Sequence, residues 1–139
     1  MTTRTLSKNL YKAMRAVKNT LPRDLKKLPI LNCARFSYHE GRIALTSMTY
    51  EKDTLTPVTE YASCIWEGDT WETYVPMKPF TDWLRVTASY GEVLELSYDP
   101  QREVLQIKAD NTRAEFRCIN AQEFPAHLSP RPWHCNGEG

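Results

Sequence analysis

The chain has 139 residues, of which 41% are hydrophobic and 25% are charged, a composition typical of one soluble globular domain with its own core. It contains no run of eighteen apolar residues, so no segment is expected to span a membrane. The basic N-terminus lacks the apolar stretch of a secretory signal, and the four cysteines are scattered without a Cys-x-x-Cys pair. These features predict a reduced, cytoplasmic protein without a disulfide framework.

The formal net charge of +1 hides a segregation of charge along the chain. Residues 1–31 contain eight Lys or Arg and a single acid, Asp24, whereas the rest of the chain contains ten basic and sixteen acidic side chains. Segregation of this kind indicates a polyanionic partner that is met by one surface only.

Residues 6–21 show the periodicity of an amphipathic helix. Its predicted apolar face consists of Leu6, Leu10, Ala13, Met14, Val17 and Leu21. Its predicted polar face consists of Lys8, Tyr11, Lys12, Arg15 and Lys18. A basic helix face is often only a solvated face, but here Arg23, Lys26 and Lys27 continue the basic segment in a loop with almost no acids interleaved. Solubility alone does not require the acids to be absent, so the pattern favours binding of a polyanion.

The middle of the chain reads as β-structure followed by a second helix. A hairpin is predicted over residues 34–48, a β-rich stretch over 55–65 and a further strand over 71–75, with Pro57 marking an edge or bulged strand. A helix is predicted over residues 76–89. Its apolar face consists of Phe80, Trp83, Leu84 and Thr87, and its polar face of Lys78, Asp82, Arg85 and Ser89.

Three alternating strands are predicted over residues 92–98, 103–109 and 113–119. Runs of antiparallel strands with segregated helices predict an α+β fold, with two helices packed on antiparallel sheets. Residues 1–127 are expected to form the domain. Residues 128–139, rich in Pro and Gly, are expected to form a disordered tail or linker.

Four motifs in this order resemble the N-terminal domain of the bacterial replicative sliding clamp, the beta subunit of DNA polymerase III. They are LPIL at 28–31, EGRIALTSMTYE at 40–51, YVPMKPF at 74–80, and NTRAEFR at 111–117 followed by AQEFP at 121–125. The resemblance covers about residues 5–126. Thr49 and Tyr50 depart from it, because they stand where the family usually has an Asp and an apolar residue.

The resemblance implies a DNA-clamp domain whose two helices face DNA on the inner surface of a ring. It turns eight basic side chains toward duplex DNA or places them on the adjacent loop: Lys8, Lys12, Arg15, Arg23, Lys26, Lys27, Lys78 and Arg85. It also implies a non-enzymatic processivity factor of DNA replication, without a cofactor or a metal, whose partners are a DNA polymerase or other replication proteins. Contacts with phosphates, without base readout, suit such a role.

Chain length departs from the family, in which three such domains form one chain and two chains close a ring of six. The sequence holds one such domain. Two interpretations stay open: a truncated or split clamp, and a free-standing domain that joins further clamp domains or self-associates into a ring through its sheet edges. The partner-peptide pocket of the family lies between its second and third domains, so it is not expected here.

The sequence also bears on two other classes of function, an enzyme and a protein-interaction module. His39, His127 and His134 have no partner at metal-ligand or acid–base spacing, and no nucleophile elbow or Gly-rich phosphate loop is present, so the sequence does not predict an enzyme. The alternative is a clamp-fold interaction module that recruits a replication or repair factor through a sheet edge or through Trp133, without encircling DNA. Trp66, Trp71 and Trp83 are expected to pack in the fold more than to stack on bases.

Overall fold

The computed structural model of the chain describes residues 3–17, 29–51, 54–88, 91–110 and 112–119. Nine strands and two helices occur in these ranges, together with a 3-10 turn over Pro29–Asn32. In chain order they are β1 (Thr3–Leu6), α1 (Ser7–Val17), β2 (Cys33–His39), β3 (Arg42–Glu51), β4 (Thr54–Ser63), β5 (Ile65–Trp66), β6 (Thr73–Pro76), α2 (Met77–Ala88), β7 (Val93–Asp99), β8 (Val104–Lys108) and β9 (Arg113–Arg117).

The strands form two antiparallel sheets, which confirms the α+β fold with two helices on antiparallel sheets. One sheet has the order β5-β1-β7-β8-β9, and the other has the order β4-β3-β2-β6. The chain crosses between them at Cys64, whose backbone N–H donates to the Gly41 carbonyl at 3.1 Å. A second link is the bridge between Tyr74 and Ile119, where the Ile119 N–H donates to the Tyr74 carbonyl at 3.0 Å.

The fold contains the same unit twice: a strand, a helix and three strands. The first unit is β1-α1-β2-β3-β4, and the second is β6-α2-β7-β8-β9. In each unit the first strand pairs with the other unit's sheet, since β1 lies beside β7 and β6 lies beside β2. The strand and helix of the second unit begin at Thr73 and Met77, seventy positions after Thr3 and Ser7 of the first. The two helices therefore have an equivalent residue at every position up to Val17.

The core lies between the sheets and under the helices, and its equivalent helix positions are buried in both units. Leu10 and Met14 of α1 match Phe80 and Leu84 of α2, and all four are 0% exposed. The Phe80 ring makes an edge contact with Phe36 of β2, with the ring centroids 5.5 Å apart. Burying a side chain of this size stabilises the fold by about 1.5–3 kcal/mol.

The observed helices largely confirm the predicted ones. The second helix, predicted over residues 76–89, is observed over Met77–Ala88. The first helix is described over Ser7–Val17, and its predicted last turn lies outside the described residues. Leu6 was predicted wrongly: it is the last residue of β1, not part of the helix, and its side chain is 47% exposed.

Strand β1 is not among the elements predicted from the sequence, because its polar threonines are buried and its other residues are exposed. Its core-facing residues are the polar Thr3 and Thr5, whereas its outward residues are Arg4 and Leu6. The Thr5 hydroxyl is satisfied inside the fold, since Oγ1 donates to the Ser63 carbonyl at 2.8 Å. A buried hydroxyl with such a partner lets a threonine take a place that patterning assigns to an apolar residue.

The Pro-containing strand and the tryptophans behave as expected. Strand β4, which contains Pro57, is an edge strand of its sheet. Trp66 and Trp71 lie in an aromatic stack against the core, with their ring centroids 4.8 Å apart. Trp83 of α2 makes an edge contact with Phe116 at 6.2 Å. Trp133 and the predicted tail lie outside the described residues.

Candidate nucleic-acid interface

Helix α1 presents three basic side chains to solvent. Its buried face, formed around Leu10 and Met14, fixes the rotation of the helix on the core. Lys8, Lys12 and Arg15 therefore project from the opposite side, and all three are exposed. The Arg15 guanidinium carbon lies 5.7 Å from the centre of the Tyr11 ring. Within the described ranges, none of these three cations forms an ion pair with a carboxylate.

Helix α2 presents two basic side chains that share one carboxylate. The Lys78 ammonium lies 3.3 Å from Asp82 Oδ2, and an Arg85 guanidinium nitrogen lies 3.3 Å from Asp82 Oδ1. The three side chains occupy neighbouring turns at i, i+4 and i+7, so they lie on one face of the helix. The basic face of α2 is therefore partly neutralised within the helix itself.

The two helices that hold these cations are neighbours in the fold. The first turn of α1 lies against the last turn of α2, since the buried Ser7 Oγ donates to the Thr87 carbonyl at 3.5 Å. The Lys8 side chain also lies close to Gly91, which follows α2. A side chain at position 91 would contact it, because a Cβ atom there would lie 3.6 Å from Lys8 Cε. The far end of α1 is fixed by Ser47, whose buried hydroxyl donates to the Val17 carbonyl.

Five of the eight predicted site residues are exposed on these two neighbouring helices: Lys8, Lys12, Arg15, Lys78 and Arg85. The other three, Arg23, Lys26 and Lys27, lie outside the described residues, and their role stays a prediction. Asp82 was assigned to the polar face of α2, but its contact with both cations was not anticipated from the sequence. The signal was present in the i, i+4 spacing of Lys78 and Asp82.

The three cysteine thiols in the described part of the chain all have a raised pKa, which favours their protonated form. Burial, with a smaller effect from the nearby Cys118, raises the pKa of the Cys33 thiol to about 12. Burial also raises the pKa of Cys64 and of Cys118. Because the thiolate is the reactive species, a raised pKa makes these three thiols less nucleophilic at neutral pH.

The side chains that could bind a metal ion do not form a cluster in the described part of the chain. His39 is exposed, and its Nε2 lies 3.8 Å from a carboxylate oxygen of its neighbour Glu40. Among the described residues, no group of three or more His, Cys, Asp or Glu side chains is arranged to hold a metal ion. His127, His134 and Cys135 lie outside those residues. Neither described helix is long and apolar enough to cross a membrane.

Comparisons with known proteins agree with this architecture at the level of the fold. No protein-family model and no curated protein matches the sequence. Solved structures of bacterial clamps are similar to this chain, and each match covers 90% of it. Two are DNA polymerase III subunit beta, from Pseudomonas aeruginosa (TM-score 0.71, 16% identity) and from Thermotoga maritima (TM-score 0.70, 19% identity). A third is the Helicobacter pylori beta clamp bound to a DNA ligase peptide (TM-score 0.71, 16% identity). In each case the match covers 32% of the solved chain, so this chain spans about a third of their length.

The two sheets and two helices therefore form the domain fold of a DNA sliding clamp. More particularly, the resemblance to the bacterial DNA polymerase III beta clamp is confirmed in the fold, although few residues are identical.

Proposed function

We propose that this chain is a non-enzymatic clamp-type domain that contacts duplex DNA without sequence specificity and supports the processivity of a DNA polymerase. The observation that carries the proposal is the basic face of α1. Its Lys8, Lys12 and Arg15 side chains are exposed and form no ion pair with a carboxylate among the described residues. Flexible cations of this kind neutralise phosphates and release counterions, which gives affinity without base readout. The proposal places the protein in the cytoplasm, where a replication factor works.

Charge reversal on α1 tests the contact with DNA. We expect the triple variant K8E/K12E/R15E to lose salt-sensitive binding to a duplex oligonucleotide, measured by fluorescence anisotropy at about 50 mM salt. It should keep its fold, since the three side chains are exposed. Circular dichroism and thermal unfolding verify that condition.

A matched control reverses three cations on the strands. R102E/K108E/R113E makes the same change in net charge with exposed side chains on and beside β8 and β9. We expect this variant to keep most of the affinity of the unmutated chain. Unchanged binding by the α1 variant, or equal losses in both variants, would refute a contact centred on α1.

We further propose that the domain meets other clamp domains through the free edges of its sheets. In the described part of the chain, β4 and β9 each have an outer side without a paired strand. Light scattering at several concentrations tests self-association. A mass near six subunits supports a homomeric ring, whereas a persistent monomer excludes self-assembly and points to separate chains as the source of the other domains.

An interaction module is the second candidate, and one observation favours it. Leu6, Ile65 and Val93 are 47%, 63% and 49% exposed on adjacent strands, with Leu6 opposite Val93 in the register. Exposed apolar clusters often mark protein contacts. Capture of a purified DNA polymerase or repair factor that is lost in L6S/I65S/V93S or on removal of residues 128–139, and that survives K8E/K12E/R15E, would favour this candidate over DNA binding.

A further inference from the structure

The two helices of the duplicated unit have opposite charge at one equivalent position. Superposing the units in sequence places Lys8 on Lys78 and Arg15 on Arg85, so the outer two positions of the basic face are identical. The middle position holds Lys12 in α1 and Asp82 in α2. The three side chains of the basic face therefore have formal charges that sum to +3 on α1 and to +1 on α2.

Asp82 contacts both of its basic neighbours with separate oxygens. Oδ2 lies 3.3 Å from the Lys78 ammonium, and Oδ1 lies 3.3 Å from the Arg85 guanidinium. The Asp82 side chain is 46% exposed, so it lies at the surface that a polyanion would approach and not beneath it. A phosphate that binds either cation therefore also meets the electrostatic repulsion of the nearby Asp82 carboxylate.

We propose that Asp82 masks the basic face of α2, so that duplex DNA is held mainly by α1 and only weakly by α2. This inference rests on the function proposed above and concerns the division of DNA contacts between the two helices. The physical reason is that cations already paired within the protein release fewer counterions from DNA when they meet phosphate. Asp82 thus lowers both the affinity and its dependence on salt.

Removing the carboxylate tests the mask. We expect D82N to bind duplex DNA several-fold more tightly at low salt, with the slope of log K against log salt steeper by about 1 to 2, because one or two more phosphates are neutralised. The probe is a fluorescein-labelled duplex of mixed sequence, and affinity is measured at a series of salt concentrations.

E115Q is the matched control. Glu115 is also an exposed acid that pairs with an arginine, since its Oε1 lies 3.4 Å from an Arg102 guanidinium nitrogen. The next residue on β9, Phe116, packs against Phe80 of α2, so Glu115 points to the opposite, outward face of the sheet. E115Q therefore makes the same change in net charge away from the helices, and we expect it to leave the slope unchanged.

A charge exchange between equivalent positions separates masking from net charge. K12D should weaken binding, because it places an acid between Lys8 and Arg15. We expect K12D/D82K, which restores the net charge, to recover most of the lost affinity by moving the dominant contact to α2. A role for Asp82 in helix stability alone would change thermal unfolding but not the salt slope.

The outcomes distinguish the inference from the function on which it rests. If the unmutated chain shows salt-dependent binding that K8E/K12E/R15E abolishes, while D82N matches E115Q, the mask is refuted and the proposed function stands. If neither the unmutated chain nor D82N binds the duplex at low salt, the proposed function fails and the mask fails with it.

Discussion

The two helices of this domain occupy equivalent places in a duplicated unit, yet they present different surfaces. Both bury the same positions, as Leu10 and Phe80 show, and both begin right after a short strand that pairs with the other unit's sheet. On the solvent side, α1 has three basic side chains without a described ion pair, whereas α2 holds two that share Asp82. Equivalence in packing therefore does not imply equivalence in surface charge, because the core constrains only the buried positions.

The largest effect is expected in the packing that the two helices share. F80A should lower the free energy of unfolding by about 3–5 kcal/mol, since large-to-small changes in a core also leave a cavity. The Phe80 ring contacts Phe36 in one sheet and Phe116 in the other, at 5.5 and 5.0 Å between centroids, so its loss loosens both sheets. Urea denaturation measures the change.

Two further variants test whether the cost of F80A comes from burial: L10A at the equivalent buried position of α1, and V86A at an exposed position of α2. L10A, at the equivalent position of α1, should cost about 2–5 kcal/mol, because Leu10 is also 0% exposed. V86A removes a side chain that is 62% exposed and should cost less than about 0.5 kcal/mol. A cost for F80A no larger than that for V86A would show that α2 does not link the sheets as described.

Alkaline pH should lower the free energy of unfolding, because three buried groups near the contact between the two units have raised pKa values. Burial raises the pKa of Cys33 to about 12 and also raises the pKa of Cys118 and of Tyr74, which lie on β2, after β9 and on β6. The unfolded chain loses these protons first, so the free energy of unfolding should fall as the pH rises from about 9 toward 12. Each of these groups contributes to the fall over the pH range in which it is protonated in the fold and deprotonated in the unfolded chain.

Urea denaturation between pH 7 and 11 measures this dependence, and C33A should make it shallower. Stability that stays constant up to pH 11 would contradict the burial of these thiols.

Charge reversals at equivalent positions of the two helices compare how much each basic face contributes to DNA binding. K8E/R15E on α1 and K78E/R85E on α2 change matched positions and the same net charge. The α1 pair should make the salt slope shallower by about 2, and the α2 pair by less than about 1, because Asp82 already compensates the α2 cations. Anisotropy titrations on the same duplex measure both, and a larger loss from the α2 pair would reverse the assignment.

Much of the fold was predictable, because helix periodicity and strand alternation reflect burial directly. The second helix and the three last strands lie close to their predicted bounds. Strand β1 was not predictable in this way, because its buried positions are threonines. Nor does the sequence display the duplication, since the equivalent residues of the two helices share burial more than identity.

The exposure of the basic side chains on the two helices was predictable from the sequence, but their ion pairing was not. Charge segregation and helix faces identified Lys8, Lys12 and Arg15 as well as Lys78 and Arg85. They could not rank the two groups, because the ranking depends on which cations already have a partner. That information comes from the geometry of Asp82 between its two neighbours.

The most direct test of the account is the salt dependence of DNA binding by the unmutated chain, measured on two duplexes of unrelated sequence. The account predicts equal affinities for the two duplexes, and a slope of log K against log salt of about −3 or steeper from the three cations of α1. Absence of binding at low salt, a slope near zero, or a strong preference for one duplex would contradict a sequence-independent phosphate contact.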